Sequence, residues 1–212
     1  KWDISREDQD ALAVESHNRA EAAIAEGRFK EQILPIEIKS RKGTVVFDTD
    51  EHVRNGLSVE QIAGMRPAFK KDGTVTAGNA SGLNDAAAAV VLMSKESAEA
   101  KGLSPMATLK AYSFAGVEPK YMGIGPVPAV RSLLEKAGLT IADIDVWEVN
   151  EAFAAQALAV CRDLELPGDK VNVNGSGISL GHPIGATGAL ITVKALYELQ
   201  RVQGRYAVVT MC

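Results

Sequence analysis

The sequence predicts an α/β fold in which a loop-rich segment precedes a layered part, and three observations lead to this prediction. Beyond residue 103, apolar segments of strand length alternate with amphipathic segments of helix length, the pattern of a layered sheet. Residues 48–82 are polar and repeatedly interrupted by glycine and proline, which predicts loops and short helices. Hydrophobic residues make up 46% and charged residues 24% of the 212 residues, so enough apolar side chains are present for a globular core.

The part of the chain before residue 103 is predicted to contain one long helix and few strands. Ser5 followed by Asp8 is typical of a helix start, and Gly27 ends an alanine-rich helical pattern. In order, the predicted elements are a helix over 11–26, strands over 33–38 and 45–47, a buried strand over 86–93, and a helix over 94–101 that ends at Gly102.

The part after residue 103 is predicted to alternate strands and helices. Val130, Leu133 and Leu134 recur at helical spacing and line one face of a predicted helix. The predicted strands cover residues 108–114, 144–149, 171–173 and 206–211, and the predicted helices cover 126–137, 151–164 and 189–200. This alternation predicts a sheet with helices layered against it.

Charge and composition narrow the functional class. The formal net charge of −4 gives no generalised basic surface, which argues against nucleic acid as a partner. No apolar run approaches the roughly 20 residues of a membrane-spanning helix. The two cysteines, Cys161 and Cys212, lack metal-ligand spacing and indicate free thiols, so we expect a cytoplasmic protein. A start without methionine and an end directly after an apolar strand indicate an internal segment of a longer protein.

The segment 172–189 is rich in glycine and holds His182 between Gly181 and Pro183. Glycine at this density indicates a backbone that turns sharply or lies close to a ligand. A helix is predicted to begin directly afterwards, and its first peptide N–H groups favour negative charge. His182 could donate a hydrogen bond to an oxyanion, could take a proton from a thiol, or could be a loop histidine with only local hydrogen bonds. The glycine spacing matches neither a dinucleotide fingerprint nor a phosphate loop.

Asn150 and Cys212 each follow a predicted strand. Asn150 could cap the helix that comes next, or it could point into a site at the carboxyl edge of the sheet. Cys212 could act as a general acid or base if its surroundings lower its pKa. Cys161 lies on a helical pattern, and we interpret it as a buried structural thiol.

The loop-rich segment contains candidates for binding a slender or phosphorylated ligand. Arg54, Lys70 and Lys71 could contact phosphates, although solvated surface charge is the common role of such residues. The small residues of the run 77–82 allow a ligand to lie close to the backbone, and an ordinary turn would have the same composition.

Together these motifs resemble those of the thiolase family. The segments similar to that family's active-site blocks are 150–156 (NEAFAAQ), 181–188 (GHPIGATG) and 208–212 (VVTMC), and the segment similar to its coenzyme A loop is 74–85 (TVTAGNASGLND). The resemblance extends over essentially the whole chain. The segments most similar to bacterial β-ketothiolases, which act on acetyl-CoA and short 3-ketoacyl-CoA, are 1–9, 178–188 and 204–212.

The resemblance implies a division of the chain. Residues 1–83 would belong to a loop domain that covers coenzyme A, and residues 84–102 would supply a strand and a helix of the N-terminal thiolase domain. Residues 103–212 would form a truncated C-terminal domain with thiolase-like α-β-α layers. The family's acyl-accepting cysteine lies N-terminal to everything in this chain, and its C-terminal glycine-rich turn follows the position of Cys212. We therefore expect the 212-residue chain alone to be inactive.

The resemblance also implies roles for individual residues. His182 would activate the nucleophilic cysteine and bind the thioester oxygen, while Asn150 would hold the water that completes this oxyanion hole. Cys212 would be the second catalytic cysteine. Six residues are implied to bind coenzyme A. Arg54 would lie at its nucleotide end, and Ala77 and Ser81 would lie on the loop, where Ser81 would contact the pantetheine arm. Phe69, Met122 and Phe153 would line the tunnel for that arm.

The implied function is acyl transfer between coenzyme A thioesters, either reversible Claisen condensation of acetyl-CoA with an acyl-CoA or thiolysis of short-chain 3-ketoacyl-CoA. Such chemistry serves fatty acid metabolism and polyhydroxyalkanoate biosynthesis. Coenzyme A and acetyl-CoA would be substrates, with no permanently bound cofactor and no metal, and a homodimer or homotetramer is expected. The alternative is a non-catalytic acyl-CoA binding module of the same fold. Cys212 and the Asn150 block argue against a decarboxylating condensing enzyme.

Overall fold

A computed structural model describes residues 2–212; Lys1, which opens one of the segments similar to β-ketothiolases, lies outside the described residues. The α-helices are α1 (Arg6–Ala25), α2 (Val59–Ala63), α3 (Lys95–Ala100), α4 (Pro126–Ala137), α5 (Ala154–Asp163), α6 (Gly177–Leu180) and α7 (Thr187–Arg201). The strands are β1 (Ile36–Ser40), β2 (Gly43–Phe47), β3 (Val146–Val149) and β4 (Ala207–Thr210), and short 3₁₀ helices cover Pro119–Ile124 and Ile141–Asp143.

Helix α1 begins where the sequence predicted. Ser5 Oγ accepts a hydrogen bond from the Asp8 backbone N–H at 2.9 Å, and the Asp8 carboxylate accepts one from the Ser5 N–H at 3.3 Å, which completes a capping box. The buried face of α1 consists of small and polar side chains, namely Gln9, Asp10, Ala13, Ser16, His17, Ala20 and Ala23. Such a face lets neighbouring segments approach closely, and its polar members require hydrogen-bond partners.

Strands β3 and β4 form the centre of the layered part. They are parallel, in a register that begins with Val146 opposite Ala207, and Val171 forms an isolated parallel bridge to Trp147. The predicted strand over 171–173 is therefore reduced to one bridging residue. The main apolar core packs around this pair, and its buried members are Val127, Val130, Leu134, Ile144, Trp147, Val149, Val160, Leu164, Val171 and Val208.

Most predicted helices are confirmed. Helices α1, α3, α4 and α7 lie at the positions predicted for 11–26, 94–101, 126–137 and 189–200. The helix predicted over 151–164 begins only at Ala154, because Phe153 is extended and forms an antiparallel bridge with Ala80. This bridge ties the loop-rich segment to the beginning of α5.

The strands predicted over 86–93 and 108–114 are wrong for this structure. Neither segment takes part in a ladder, and their apolar side chains are exposed, with Val91 at 83% and Phe114 at 88% of full exposure. A strand needs a neighbour to receive its backbone hydrogen bonds, and no segment between residues 2 and 212 pairs with these two. Their apolar residues consequently form open surface instead of core.

Strands β1 and β2 form an exposed antiparallel hairpin. Ile36 lies opposite Phe47 and Ile38 lies opposite Val45. Because side chains alternate along a strand, these four residues share one face of the hairpin, and all four are exposed. A two-stranded hairpin is only marginally stable by itself, so an uncovered apolar face of this kind favours contact with another surface.

A buried ion pair connects α7 to β3. Lys194 Nζ lies 3.0 Å from Glu148 Oε2 and also donates to the Gly175 carbonyl at 2.6 Å. The two side chains are only 4% and 1% exposed. Burial raises the pKa of the Glu148 carboxyl, and the charge of Lys194 opposes that rise. The pair therefore depends on both partners being present.

We predict that Lys194→Met lowers the free energy of unfolding by about 3–5 kcal/mol, because it leaves the Glu148 carboxylate buried without a cation. The double variant Glu148→Gln/Lys194→Met is expected to regain much of this loss. Urea unfolding of the chain measures both. Lys95→Met is the control, since Lys95 is exposed and only 3.8 Å from exposed Glu99, and a change within about 0.5 kcal/mol is expected. A loss for Lys194→Met no larger than for this control would contradict the prediction.

Candidate functional site

The carboxyl ends of β3 and β4 bring two of the predicted site residues to one edge of the sheet. Asn150 directly follows β3, and its backbone N–H donates to the Thr210 carbonyl of β4 at 3.0 Å. Cys212 lies two residues beyond Thr210. Parallel strands end at the same edge, and this is where α/β proteins commonly bind ligands.

His182 lies against the side chain of Asn150. Asn150 Nδ2 is 3.4 Å from Nε2 and 3.5 Å from Nδ1 of the imidazole, so the amide lies over the ring face rather than in the plane of the nitrogen lone pairs. Burial lowers the pKa of His182, and the ring is therefore neutral at neutral pH. The N-cap of α5 is Phe153, so the interpretation of Asn150 as a helix cap is wrong.

Asn84 holds the backbone ahead of His182. Gly181 has a φ of 97°, and a Cβ at this position would lie 2.5 Å from Asn84 Cγ, so only glycine fits. Asn84 Oδ1 accepts a long hydrogen bond from the His182 N–H at 3.4 Å. Asn84 is not among the site residues predicted from the sequence, although it falls within 74–85, the segment similar to a coenzyme A loop.

Thr187 is a second residue of the site that was not predicted from the sequence. Its Oγ1 lies 2.7 Å from Nδ1 of His182, and the residue is 1% exposed at the first position of α7. The available signal was its place within 181–188, one of the segments that resemble an active-site block. Thr187 therefore contacts Nδ1 of His182, and Nε2 lies on the other side of the imidazole.

A fully buried carboxylate fixes the backbone beside Asn150. Glu151 Oε2 accepts from Ser16 Oγ of α1 at 2.6 Å and from the Ile178 N–H of α6 at 3.4 Å. Its Oε1 accepts from Asn172 Nδ2 at 3.0 Å. Burial raises the pKa of Glu151, and the Ser16 and Asn172 hydrogen bonds oppose the rise. The network links α1, β3 and the glycine-rich segment at the site.

Neither cysteine has the lowered pKa of an activated thiol. Burial raises the pKa of Cys161 to about 12, in agreement with its interpretation as a structural residue. Desolvation also raises the pKa of Cys212, although that residue is exposed. Both side chains are therefore thiols at neutral pH, and the chain offers no preformed thiolate nucleophile.

Two of the residues predicted to bind coenzyme A contact each other near Asn150, and a third is tied to the adjoining backbone. The rings of Phe69 and Phe153 meet edge to face with centroids 6.2 Å apart, and Phe69 is 74% exposed. Ser81 donates to the Ala152 carbonyl through its Oγ at 2.9 Å and through its backbone N–H at 3.1 Å. The loop and the Asn150 segment thus form one continuous surface.

The other three predicted contacts of coenzyme A have exposed side chains. Ala77 lies on the loop, and Met122 lies in the 3₁₀ helix before α4. Arg54 is held through its backbone, since its N–H donates to Nδ1 of His17 at 3.1 Å. The roles of these residues stay predictions.

Among residues 2–212, no group of three or more His, Cys, Asp or Glu side chains is arranged to hold a metal ion. Helix α1 is the longest described helix, with 20 residues. No helix in this range combines the length and the apolar character that crossing a membrane requires.

Two protein-family models together match almost the whole chain. The model described as thiolase, N-terminal domain, matches residues 1–96, and the model described as thiolase, C-terminal domain, matches residues 103–212. The chain is 65% identical to the β-ketothiolase BktB of Cupriavidus necator over 213 residues, which cover 100% of this chain and 54% of that protein.

Solved structures of thiolases are also similar to this chain. The crystal structure of the Bacillus anthracis acetyl-CoA acetyltransferase is similar with a TM-score of 0.97 and 55% identity, over 100% of this chain and 54% of that one. The crystal structure of human mitochondrial 3-ketoacyl-CoA thiolase in complex with CoA has a TM-score of 0.89 and 44% identity, over 96% of this chain and 51% of that one. The chain thus spans about half the length of the relatives it matches.

We predict that His17 makes the chain less stable as the pH falls. Burial, with smaller effects from Arg54 and His52, lowers the pKa of His17 from 6.5 to about 4. Between these values the unfolded chain binds a proton that the folded chain does not, so the free energy of unfolding decreases as the pH falls from 6.5 toward 4. Thermal unfolding at several pH values measures the effect.

The control for this prediction is His17→Asn, whose Oδ1 can still accept from the Arg54 N–H but does not titrate. Glu148 and Glu151 have raised pKa values, and such carboxyl groups increase the free energy of unfolding as the pH falls. The stability of wild type is therefore compared with that of the variant at each pH. The variant is expected to lose less stability than wild type between pH 7 and pH 4. Parallel curves for the two proteins would refute the assignment.

Proposed function

This chain belongs to the thiolase family, and we propose that the protein containing it transfers acyl groups between coenzyme A thioesters. The α/β thiolase fold predicted from the sequence is confirmed. The proposed reaction is reversible Claisen condensation of acetyl-CoA with an acyl-CoA, or thiolysis of short-chain 3-ketoacyl-CoA. The supporting observation is that Asn150, His182 and the end of β4 converge at one edge of the sheet.

The proposed chemistry at this edge is stabilisation of negative charge on a thioester oxygen. His182 and Asn150 are adjacent nitrogen-bearing groups on a backbone fixed by buried hydrogen bonds. Donors held in place before the reaction stabilise a developing oxyanion without reorganisation, and this effect is usually the largest one in acyl transfer. Cys212, in turn, is proposed to move the proton at the acetyl α-carbon or to protonate the leaving thiolate.

The nucleophile is proposed to come from the part of the relatives' length that this chain does not cover. Cys161 is excluded because it is partly buried, and desolvation raises its pKa to about 12. The raised pKa of Cys212 suits a group that exchanges protons better than one that attacks as a thiolate. The thiolate of this nucleophilic cysteine would accept the acyl group and release coenzyme A. In the second half of the reaction the acyl group would pass from that cysteine to the second substrate.

Coenzyme A is proposed to bind as a substrate along the surface that joins the loop to α5. Phe69, Phe153 and Met122 offer exposed apolar contacts for the pantetheine arm, and Arg54 offers a cation for the nucleotide end. The 74–85 loop, with Ala77 and Ser81, would lie along the arm. No resident cofactor or metal takes part in the proposed reaction.

The protein is further proposed to be a cytoplasmic homodimer or homotetramer. Two free thiols suit a reducing compartment. The exposed apolar face of the β1–β2 hairpin supports self-association, because a second copy would cover it with an identical face.

We predict that the 212-residue chain shows no thiolysis of acetoacetyl-CoA, whereas a chimera does. In the chimera this chain replaces the matching 54% of the Cupriavidus necator relative, so that the rest of that protein supplies the nucleophile. His182→Ala in the chimera is expected to lower kcat by roughly 10²–10³-fold, the cost of losing an oxyanion donor. Absorbance of the 3-ketoacyl-CoA enolate follows turnover.

Two controls accompany this assay. The remaining part of the Cupriavidus necator protein, without this chain, is expected to be inactive, and Lys95→Met in the chimera is expected to leave turnover unchanged. A folded chimera that binds coenzyme A but has no turnover would favour a non-catalytic binding module. Substantial turnover by the 212-residue chain alone would contradict the proposed origin of the nucleophile.

We predict that Ile38→Lys together with Val45→Glu reduces the size of the oligomer, because charges on the apolar face of the hairpin prevent a second copy from covering it. Light scattering after size exclusion, performed on the chimera, measures the mass. Val46→Lys is the matched control, since Val46 lies on the opposite face of the same hairpin. An unchanged mass in the double variant would rule out this face as the interface.

A further inference from the structure

Helix α1 holds the backbone of the loop segment 53–56 at two points. His17 Nδ1 accepts a hydrogen bond from the Arg54 N–H at 3.1 Å, and Glu21 Oε2 accepts one from the Gly56 N–H at 2.8 Å. Residues four positions apart on a helix lie on the same face, so the two acceptors hold the loop side by side. We call His17 and Glu21 the α1 clamp.

His17 accepts its hydrogen bond in a buried position. The residue is 2% exposed, and its ring lies beside that of His52 with the centroids 6.3 Å apart. Burial lowers the pKa of His17 to about 4, so the imidazole is neutral at neutral pH. A neutral imidazole keeps one acceptor nitrogen, whereas a protonated ring has two donors and could not hold the Arg54 N–H.

The clamp fixes the backbone of Arg54 and leaves its side chain exposed. Within residues 2–212, the Arg54 guanidinium forms no ion pair with a carboxylate. A cation on a loop that must first be ordered loses conformational freedom when it binds an anion, and this loss weakens binding. Because the α1 clamp orders the loop beforehand, Arg54 can bind an anionic group with less of this loss.

We propose that His17 and Glu21 are positioning residues for the nucleotide end of coenzyme A, which they affect by fixing the backbone that carries Arg54. This inference rests on the proposed function and adds the residues that prepare its coenzyme A site. The phosphates of coenzyme A lie in its nucleotide half, and pantetheine has none, so the clamp favours the first thiol over the second. It contributes to KM and not to kcat, because it is remote from the reacting atoms.

The test measures thiolysis by the chimera with either coenzyme A or pantetheine as the acceptor thiol, at saturating acetoacetyl-CoA. Arg54→Ala is expected to raise the KM for coenzyme A about tenfold, the effect of losing a hydrogen bond between charged groups. His17→Leu removes the acceptor, and it is expected to raise this KM about threefold or more, with kcat changed less than about twofold. The KM for pantetheine is expected to stay unchanged in both variants.

His17→Asn is the matched variant, because asparagine is close to leucine in size and its Oδ1 can accept from the Arg54 N–H. It is expected to keep the KM for coenzyme A within about twofold of wild type. In His17→Leu/Arg54→Ala the KM is expected to equal that of Arg54→Ala alone, since the clamp acts only through Arg54. Asn18→Ala, at an exposed position of α1, is the control without effect, and urea unfolding verifies that each variant is folded.

The possible outcomes separate the clamp from the proposed function. An unchanged KM for coenzyme A in a folded His17→Leu variant, or an equal rise for pantetheine, would overturn the role of the clamp. A wild-type chimera without turnover would refute acyl transfer, and calorimetric binding of adenosine 3′,5′-bisphosphate would then test the clamp by itself. Weaker binding by His17→Leu than by His17→Asn would support the clamp, and equal or absent binding would overturn it.

Discussion

The buried carboxylate of Glu151 is the constraint on which the rest of the site depends. A carboxyl group removed from water is costly unless hydrogen-bond partners surround it, and here the partners are Ser16 of α1 and, from the glycine-rich segment 172–189, Asn172 and Ile178. Asn150 directly precedes Glu151 in the sequence, so its backbone is fixed by the same bonds. The backbone of Asn150 needs few further hydrogen bonds, since those of Glu151 hold it in place.

Close packing of backbone is the second requirement, and glycine supplies it. A Cβ on Gly177 would lie 2.9 Å from Asn150 Oδ1, and one on Gly175 would lie 2.7 Å from Ala20 Cβ. Gly175 also has a φ of 77°. Helix α1 can therefore approach the glycine-rich segment only because small residues face each other, which explains why α1 has alanine and serine where other helices bury leucine.

The sequence predicted those features of the fold and of the site that local pattern determines. The capping box at Ser5, the helix over 126–137 and the strand that ends before Asn150 all follow from short-range spacing, and the structure has them. Thr187, Asn84 and Ser16 were not predicted, because each is defined by a contact with a residue that no local pattern identifies. The apolar runs 86–93 and 108–114 were predicted as strands because their residues are apolar. A strand also requires a neighbouring strand for its backbone hydrogen bonds, which composition does not indicate.

The hydrogen bonds of Ser16 have a consequence for the order in which the chain acquires its structure. Ser16 and Glu151 are separated by 135 positions, and Ser16 and Ser179 by 163. Contacts this distant form only after a large loop has closed, and proteins rich in them fold slowly. Helix α1 can form early from its own capping box, but the carboxyl group beside Asn150 has no hydroxyl donor until α1 meets the segment that follows β3. We therefore expect the site to be assembled late in folding rather than in its nucleus.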